Sequence, residues 1–155
     1  GDPYFGPGIE NAMSKEFYEL DETIIKNPED VDYKRMIEAT KEVIKDISDL
    51  GKVLVISRGA SAILKDKENV LRVFFSANED ERVSRAKKMH NLESDAAAVD
   101  LLRHADHAQD EYFMKAFNLD FSDQSMYHLT LNTSNLTPEE CSNIILNLSK
   151  NKLTY

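Results

Sequence analysis

Cysteine is nearly absent from this sequence. The single residue Cys141 leaves no partner for an internal disulfide and excludes a cysteine-rich zinc module. Basic residues are in deficit, 19 Lys+Arg against 28 Asp+Glu, for a formal charge of -9 at pH 7. That balance speaks against nonspecific binding to nucleic acid and against a polybasic patch for a membrane surface. Long apolar runs are lacking too, none approaching the ~18 residues of a membrane-spanning helix. No charged-then-apolar leader is read near Gly1, so a reducing cytoplasm is the expected compartment. Glycine is scarce, five in all, which leaves few places for a glycine-rich phosphate loop.

What remains is ordinary for a globular protein. The 155 residues are 41% hydrophobic and 30% charged, enough for one domain over residues 1–155 with a sizeable core. Gly1 to Gly8 reads as a loop. Ile9, Ala12, Met13, Phe17, Leu20 and Ile24 recur at helical spacing until Asn27-Pro28-Glu29-Asp30 breaks the pattern. A second amphipathic helix is predicted from about Val31 to Leu50, with Met36, Ile37, Thr40, Val43, Ile44 and Ile47 on one face and Gly51 as its C-cap. The period then changes. Val53-Leu54-Val55-Ile56 is a continuous apolar run of the kind found in a buried strand, and Ala60 to Leu64 suits a short helix.

A second strand is expected within Val70–Phe75 and a third within Tyr127–Leu131. Helices are expected at Glu79–His90, Asp95–Phe117 and after Thr137-Pro138-Glu139-Glu140, which has an N-cap, a proline at the first helical position and an acidic first turn. Strands separated by helices give an α/β fold with a parallel sheet.

Three segments, in order, resemble the cytidylate-kinase-like family of P-loop nucleoside monophosphate kinases. They are Ser57-Arg58-Gly59-Ala60 between two strands, Ser76-Ala77-Asn78-Glu79 opening a helix that bears Arg82 and Arg85, and Asp106-x-x-Gln109-x-x-Tyr112 ahead of the strand Tyr127 to Thr133. The likeness covers roughly residues 51–150, about two-thirds of the chain.

The resemblance implies transfer of the ATP γ-phosphoryl group, with Mg²⁺, to CMP, dCMP or a similar monophosphate. It implies a three-layer core at 51–150, a lid at about 79–117 and a helical substrate-binding insert at 1–50. Arg58, with Gly59, matches the segment that meets the acceptor nucleotide, and sits after a strand's carboxyl end, where open α/β sheets bind ligands. Arg82 and Arg85, three apart on one helix face, are implied to face the phosphates, with Asp106 orienting a lid arginine or the nucleotide.

The sequence departs from the family in two places. Gln109 stands where the lid pattern Asp-x-x-Arg-x-x-Tyr has arginine, and a neutral amide supplies no charge to a transferring phosphate. Arg103, six residues earlier, is read as lying on a different part of the helix face. The glycine-rich phosphate loop is also missing: Gly1-Asp-Pro-Tyr-Phe-Gly6 is followed by Pro7-Gly8 rather than Lys-Ser/Thr. The expectations are therefore a chain that extends upstream of Gly1, a gap where the first, central strand would lie, self-association through that slot, and no phosphoryl transfer by the 155 residues alone.

The alternative is a non-catalytic nucleotide-binding or regulatory module. Asp100, His104, His107 and Glu111 share one helix face, yet no second helix completes a metal-binding set, so no metal site is expected. Cys141, beside Glu139 and Glu140, is no candidate nucleophile.

Overall fold

The computed structural model describes residues 31–152. The helix expected over 9–26 and most of the implied insert at 1–50 lie outside them. Within them the chain runs α1 (Val31–Asp49), α2 (Ala60–Ile63), β1 (Val73–Ser76), α3 (Glu79–Met89), α4 (Asp95–Phe117), a 3₁₀ turn (Gln124–Met126), β2 (Leu129–Asn132) and α5 (Pro138–Lys152).

The helices begin and end where local chemistry allows. Asp49 closes α1, and Gly51 follows in the left-handed region at φ 67° with its N–H on the Ser48 carbonyl. Helix α3 carries Glu79, Asp80 and Glu81 in its first turn and Lys87 and Lys88 in its last, the arrangement its dipole favours. Helix α4 starts on Ser94, whose hydroxyl accepts the Ala97 N–H. It ends at Asn118 (φ 53°), with Leu119 N–H closing back onto the Phe113 carbonyl. At α5 the Thr137 hydroxyl accepts the Glu140 N–H (3.2 Å) while the Glu140 carboxylate accepts the Thr137 N–H (2.7 Å), a reciprocal capping box.

β1 and β2 pair in parallel, Val73 opposite Leu129 through Ser76 opposite Asn132. Parallel neighbours need a crossover, and α3 and α4 supply it. Arg72 fixes the start of the pair. Its Nε donates to the Met126 carbonyl (2.6 Å), its Nη1 to the Lys65 carbonyl (2.8 Å), and its own carbonyl accepts the His128 N–H.

The fold is α/β with helices and a short parallel sheet, but among the described residues the first of the three expected strands, Val53–Ile56, is not formed. Among the described residues β1 pairs only with β2, and Val53–Ile56 has no strand partner. An apolar run becomes a strand only when a neighbour takes its backbone groups, and none of the described residues does so for this one. Val53, Leu54 and Ile56 are accordingly exposed, Leu54 by 79%, as is Phe75 of β1. The same holds on α1, where Tyr33, Ile37 and Ile44 are buried but Val43 and Ile47 of the predicted apolar face are not.

The core gathers Tyr33, Ile37, Ala62, Tyr112, Phe113 and Met126. An aromatic chain extends it, with Phe113 4.8 Å from Phe121 and Phe121 5.2 Å from Phe74 between ring centroids. The C-terminal half of α4 is therefore the floor on which the 57–64 segment and β1 rest.

Candidate functional site

The loop before α2 is held in an unusual backbone shape. Ser57, Arg58 and Gly59 all take positive φ, 68°, 58° and 71°. Side chains disfavour that region, at a cost on the order of 1–2 kcal/mol per residue, so surrounding contacts must enforce it. Two do. The Tyr112 hydroxyl donates to the Arg58 carbonyl (3.3 Å), and Gly59 lies so close to Phe117 that a Cβ there would stand 2.5 Å from the ring. Glycine is thus required at 59 by packing as well as by φ. The Arg58 side chain is half-buried.

A second cluster lies farther toward the start of α4. Arg82 of α3 forks onto Asp106 of α4, Nη1 to Oδ2 at 2.9 Å and Nη2 to Oδ1 at 2.5 Å. A planar guanidinium matches a carboxylate in this two-point geometry. The pair borders a cavity of about 320 Å³ lined by Ala77, Glu79, Val83, Val99, Leu102 and Arg103 besides the pair itself. Ala77 directly follows β1, so the cavity opens at the carboxyl end of that strand. Ligands bind there in open α/β sheets.

Arg85, one turn along α3, is tied to the end of β2. Its Nη1 donates to the Thr133 hydroxyl (2.8 Å) and its Nη2 to the Thr133 carbonyl (2.7 Å), and its Nε lies 3.5 Å from Glu81. Thr133 in turn donates its N–H and its hydroxyl to the Ser76 carbonyl, which binds the two strand ends together. Arg85 in this arrangement braces the sheet. Gln109 is half-buried on α4 and makes no side-chain hydrogen bond among the described residues.

The six residues singled out from the sequence therefore do not gather at one place. Arg82 and Asp106 meet at the cavity. Arg58 and Gly59 sit at the level of Tyr112 and Phe117, with Tyr112 about 9 Å farther along the helix axis than Asp106 at 1.5 Å per residue. Gln109 lies between these levels, and Arg85 is engaged with Thr133. Arg103, which helical spacing separates from position 109, borders the same cavity as Arg82 and Asp106. Its position three residues before Asp106 on α4 was the signal that could have found it.

The electrostatic background is acidic. Asp110 is exposed, yet partial desolvation raises its carboxyl above the ordinary aspartate range, with the charges of Asp120 and Asp106 adding to the shift and His107 opposing it. On the outer face His104 Nδ1 lies 2.8 Å from the Asp100 carbonyl oxygen, and Glu111 pairs with Lys115 at 3.2 Å. Among the described residues no three His, Cys, Asp or Glu side chains are placed to hold a metal ion.

Comparison with known proteins adds to this geometry. Residues 8–135 match the model of the cytidylate kinase-like family. A cytidylate kinase of Sulfurisphaera tokodaii is 27% identical over 105 residues, which cover 68% of this chain and 57% of the relative. A cytidylate kinase of Sulfolobus acidocaldarius is 28% identical over 82 residues, covering 53% and 44%. The chain thus spans about half the length of the curated relatives it matches. An uncharacterized protein from Eubacterium ventriosum ATCC 27560 shares the fold, with a TM-score of 0.68 over 87% of this chain and 74% of its own at 15% identity. With a family model matched over most of its length, the chain belongs to the cytidylate kinase-like family.

Proposed function

We propose that the chain is the acceptor-binding and lid portion of a nucleoside monophosphate kinase, which in the intact protein moves the ATP γ-phosphoryl group to CMP, dCMP or a similar monophosphate. The Arg82–Asp106 fork at a cavity beyond the carboxyl end of β1 is the observation that carries this reading. Phosphoryl transfer needs little covalent help from a protein. It needs guanidinium groups held where negative charge accumulates, and a site that excludes water.

In this reading Arg58 and Gly59 bind the acceptor, while Arg82, held by Asp106, faces the donor phosphates. Arg85 joins them once the lid over 79–117 closes and its hold on Thr133 loosens. The core comprises 51–150 and the helical insert 1–50. The apolar run at Val53–Ile56 lies beside a central strand in a three-layer arrangement. A nucleotide bound here would carry Mg²⁺. That ion keeps most of its water and binds phosphates with one or two carboxylates; of the two bordering the cavity Glu79 would meet it, since both oxygens of Asp106 accept from Arg82. What it supplies when bound is charge neutralisation between phosphates.

The 155 residues contain no glycine-rich phosphate loop, so on their own they bind without turnover. Gln109 favours a second reading, a nucleotide-binding regulatory module, because arginine-finger contacts contribute on the order of 10³–10⁵ in rate in related chemistry. Titration of CMP into the chain, with a coupled CMP/ATP assay on the full gene product, separates the two. Binding with turnover selects the kinase, and binding without turnover selects the module. Failure to bind CMP in either form defeats both.

A further inference from the structure

We infer that Arg103 is a phosphate-binding residue of the cavity between α3 and α4, supplying at the level of Arg82 the positive charge that position 109 lacks. The inference deepens the proposed function and rests on it for the nature of the ligand.

Among the cations bordering the cavity, Arg82 is already committed to Asp106 by two hydrogen bonds, so its charge is largely neutralised there. Arg103 also borders the cavity, and among the described residues it makes no ion pair or hydrogen bond through its side chain. An exposed guanidinium gains nothing by itself from such a place. It becomes useful when an anion enters, because Arg103 and Arg82 are the cations bordering a cavity otherwise lined by Ala77, Glu79, Val83, Val99, Leu102 and Asp106. Arg103 and Asp106 are three apart on α4 and therefore neighbours on its surface. Arg82 reaches Asp106 from the facing helix. A phosphate group entering between the helices would meet the forked donors of Arg103 on one side and, on the other, Arg82, whose fork Asp106 already holds.

The amino end of α3 does not provide this charge. Its first turn holds Glu79, Asp80 and Glu81, which repel an anion approaching the helix terminus. The selective cation must come from a side chain. Position 109 carries an amide, six residues and about 9 Å farther along the axis. Arg103 therefore does not replace an arginine at 109 in place; it moves the charge toward the amino end of α4, to the level where the Arg82–Asp106 fork already stands.

The test is calorimetric titration of the 155-residue chain with inorganic tripolyphosphate at fixed ionic strength, alongside CMP. The variants are Arg103→Gln, Arg103→Lys and Lys88→Gln. Lys88 is exposed on α3 and does not border the cavity, so its loss changes net charge by the same amount. Loss of a charge-assisted hydrogen bond to phosphate should weaken tripolyphosphate about ten- to hundredfold in Arg103→Gln. Lys88→Gln should stay within about twofold, as expected for a screened surface charge. Arg103→Lys should fall between, since an ammonium keeps the charge but loses the fork. CMP affinity should be the same in wild type and Arg103→Gln.

Equal effects of Arg103→Gln and Lys88→Gln would overturn the inference, and so would a wild-type chain with no affinity for tripolyphosphate. The proposed function fails separately: a chain that binds tripolyphosphate through Arg103 but never CMP would keep the anion site and lose the kinase reading.

Discussion

Replacing Gly59 by alanine tests whether the loop bearing Arg58 is shaped by the aromatic floor beneath it. The added Cβ would stand 2.5 and 2.6 Å from two ring carbons of Phe117 and 3.4 Å from Tyr112. Phe117 has little room to withdraw. Its ring centroid is 5.6 Å from those of both Tyr112 and Phe113, and the Lys41 ammonium lies 5.9 Å above it. A left-handed φ costs an alanine roughly 1–2 kcal/mol, and overpacking costs about 1–3 kcal/mol more. The expected loss is therefore about 2–5 kcal/mol, a large share of a typical domain's ~5–15 kcal/mol.

Gly51 provides the control. It has nearly the same φ, 67°, and nothing within 4 Å of its would-be Cβ, so Gly51→Ala should lose only the conformational part, about 1–2 kcal/mol. Urea unfolding of both variants measures the difference directly. At about 2–4 °C per kcal/mol, Gly59→Ala should also melt roughly 4–20 °C below wild type. Phe117→Leu in the Gly59→Ala background should recover part of the loss, because the two sites touch and cannot be additive. Equal losses at 51 and 59 would refute the claim that Phe117 fixes this loop.

Asp106→Asn should change stability by less than about 1 kcal/mol, since the fork is substantially exposed, while raising affinity for tripolyphosphate by freeing Arg82; calorimetry that finds weaker binding would show that Asp106 positions Arg82 rather than competing for it. Thr137→Ala should cost about 1 kcal/mol through loss of the cap on α5. The Glu140 carboxyl is held below its ordinary range by hydrogen bonds from the backbone and side chain of Thr137. Its share of stability is therefore present above the unfolded carboxylate range and lost as pH falls through the folded one, so the Thr137→Ala penalty should shrink in acid unfolding curves. Asp110 has the opposite sign. Its native carboxyl keeps its proton to higher pH than in the unfolded chain, so stability falls as pH rises through that window. Asp110→Asn should raise the melting temperature at pH 7 and lose that gain below the ordinary aspartate range near ~3.9, and a gain independent of pH would sink the assignment.

Much of the local structure was legible in the residues. The boundaries of α4 and the caps at Gly51 and Thr137 stand where the sequence places them, because each is settled by atoms within a few positions along the chain. The family was legible too, since three short segments in a fixed order specify it without any tertiary contact.

The site was legible only as a set of candidates. Arg82 and Arg85 look equivalent in sequence, three apart on one helix, yet Arg82 pairs with a carboxylate 24 positions away while Arg85 is drawn to Thr133, 48 positions away. Helical spacing fixes which way a side chain leaves its own helix, not what the facing helix presents to it. Arg103, six residues before position 109 and on a different part of the α4 face, still borders the cavity shared with Arg82.

Val53-Leu54-Val55-Ile56 and Val73-Phe74-Phe75 show the same division more plainly. Both are apolar runs with strand character, and nothing local separates them. The second finds β2 beside it and becomes a strand; among the described residues the first has no such neighbour and stays unpaired and exposed. The sequence by itself determined the helices, their caps and the family, because those depend on contacts near in sequence or on an ordered pattern of residues. The tertiary structure decided which apolar run joined the sheet, which arginine met Asp106 and why position 59 must be glycine. Each of those depends on a partner far away in the chain, and a backbone hydrogen bond, an ion pair or a steric contact exists only once that partner has arrived.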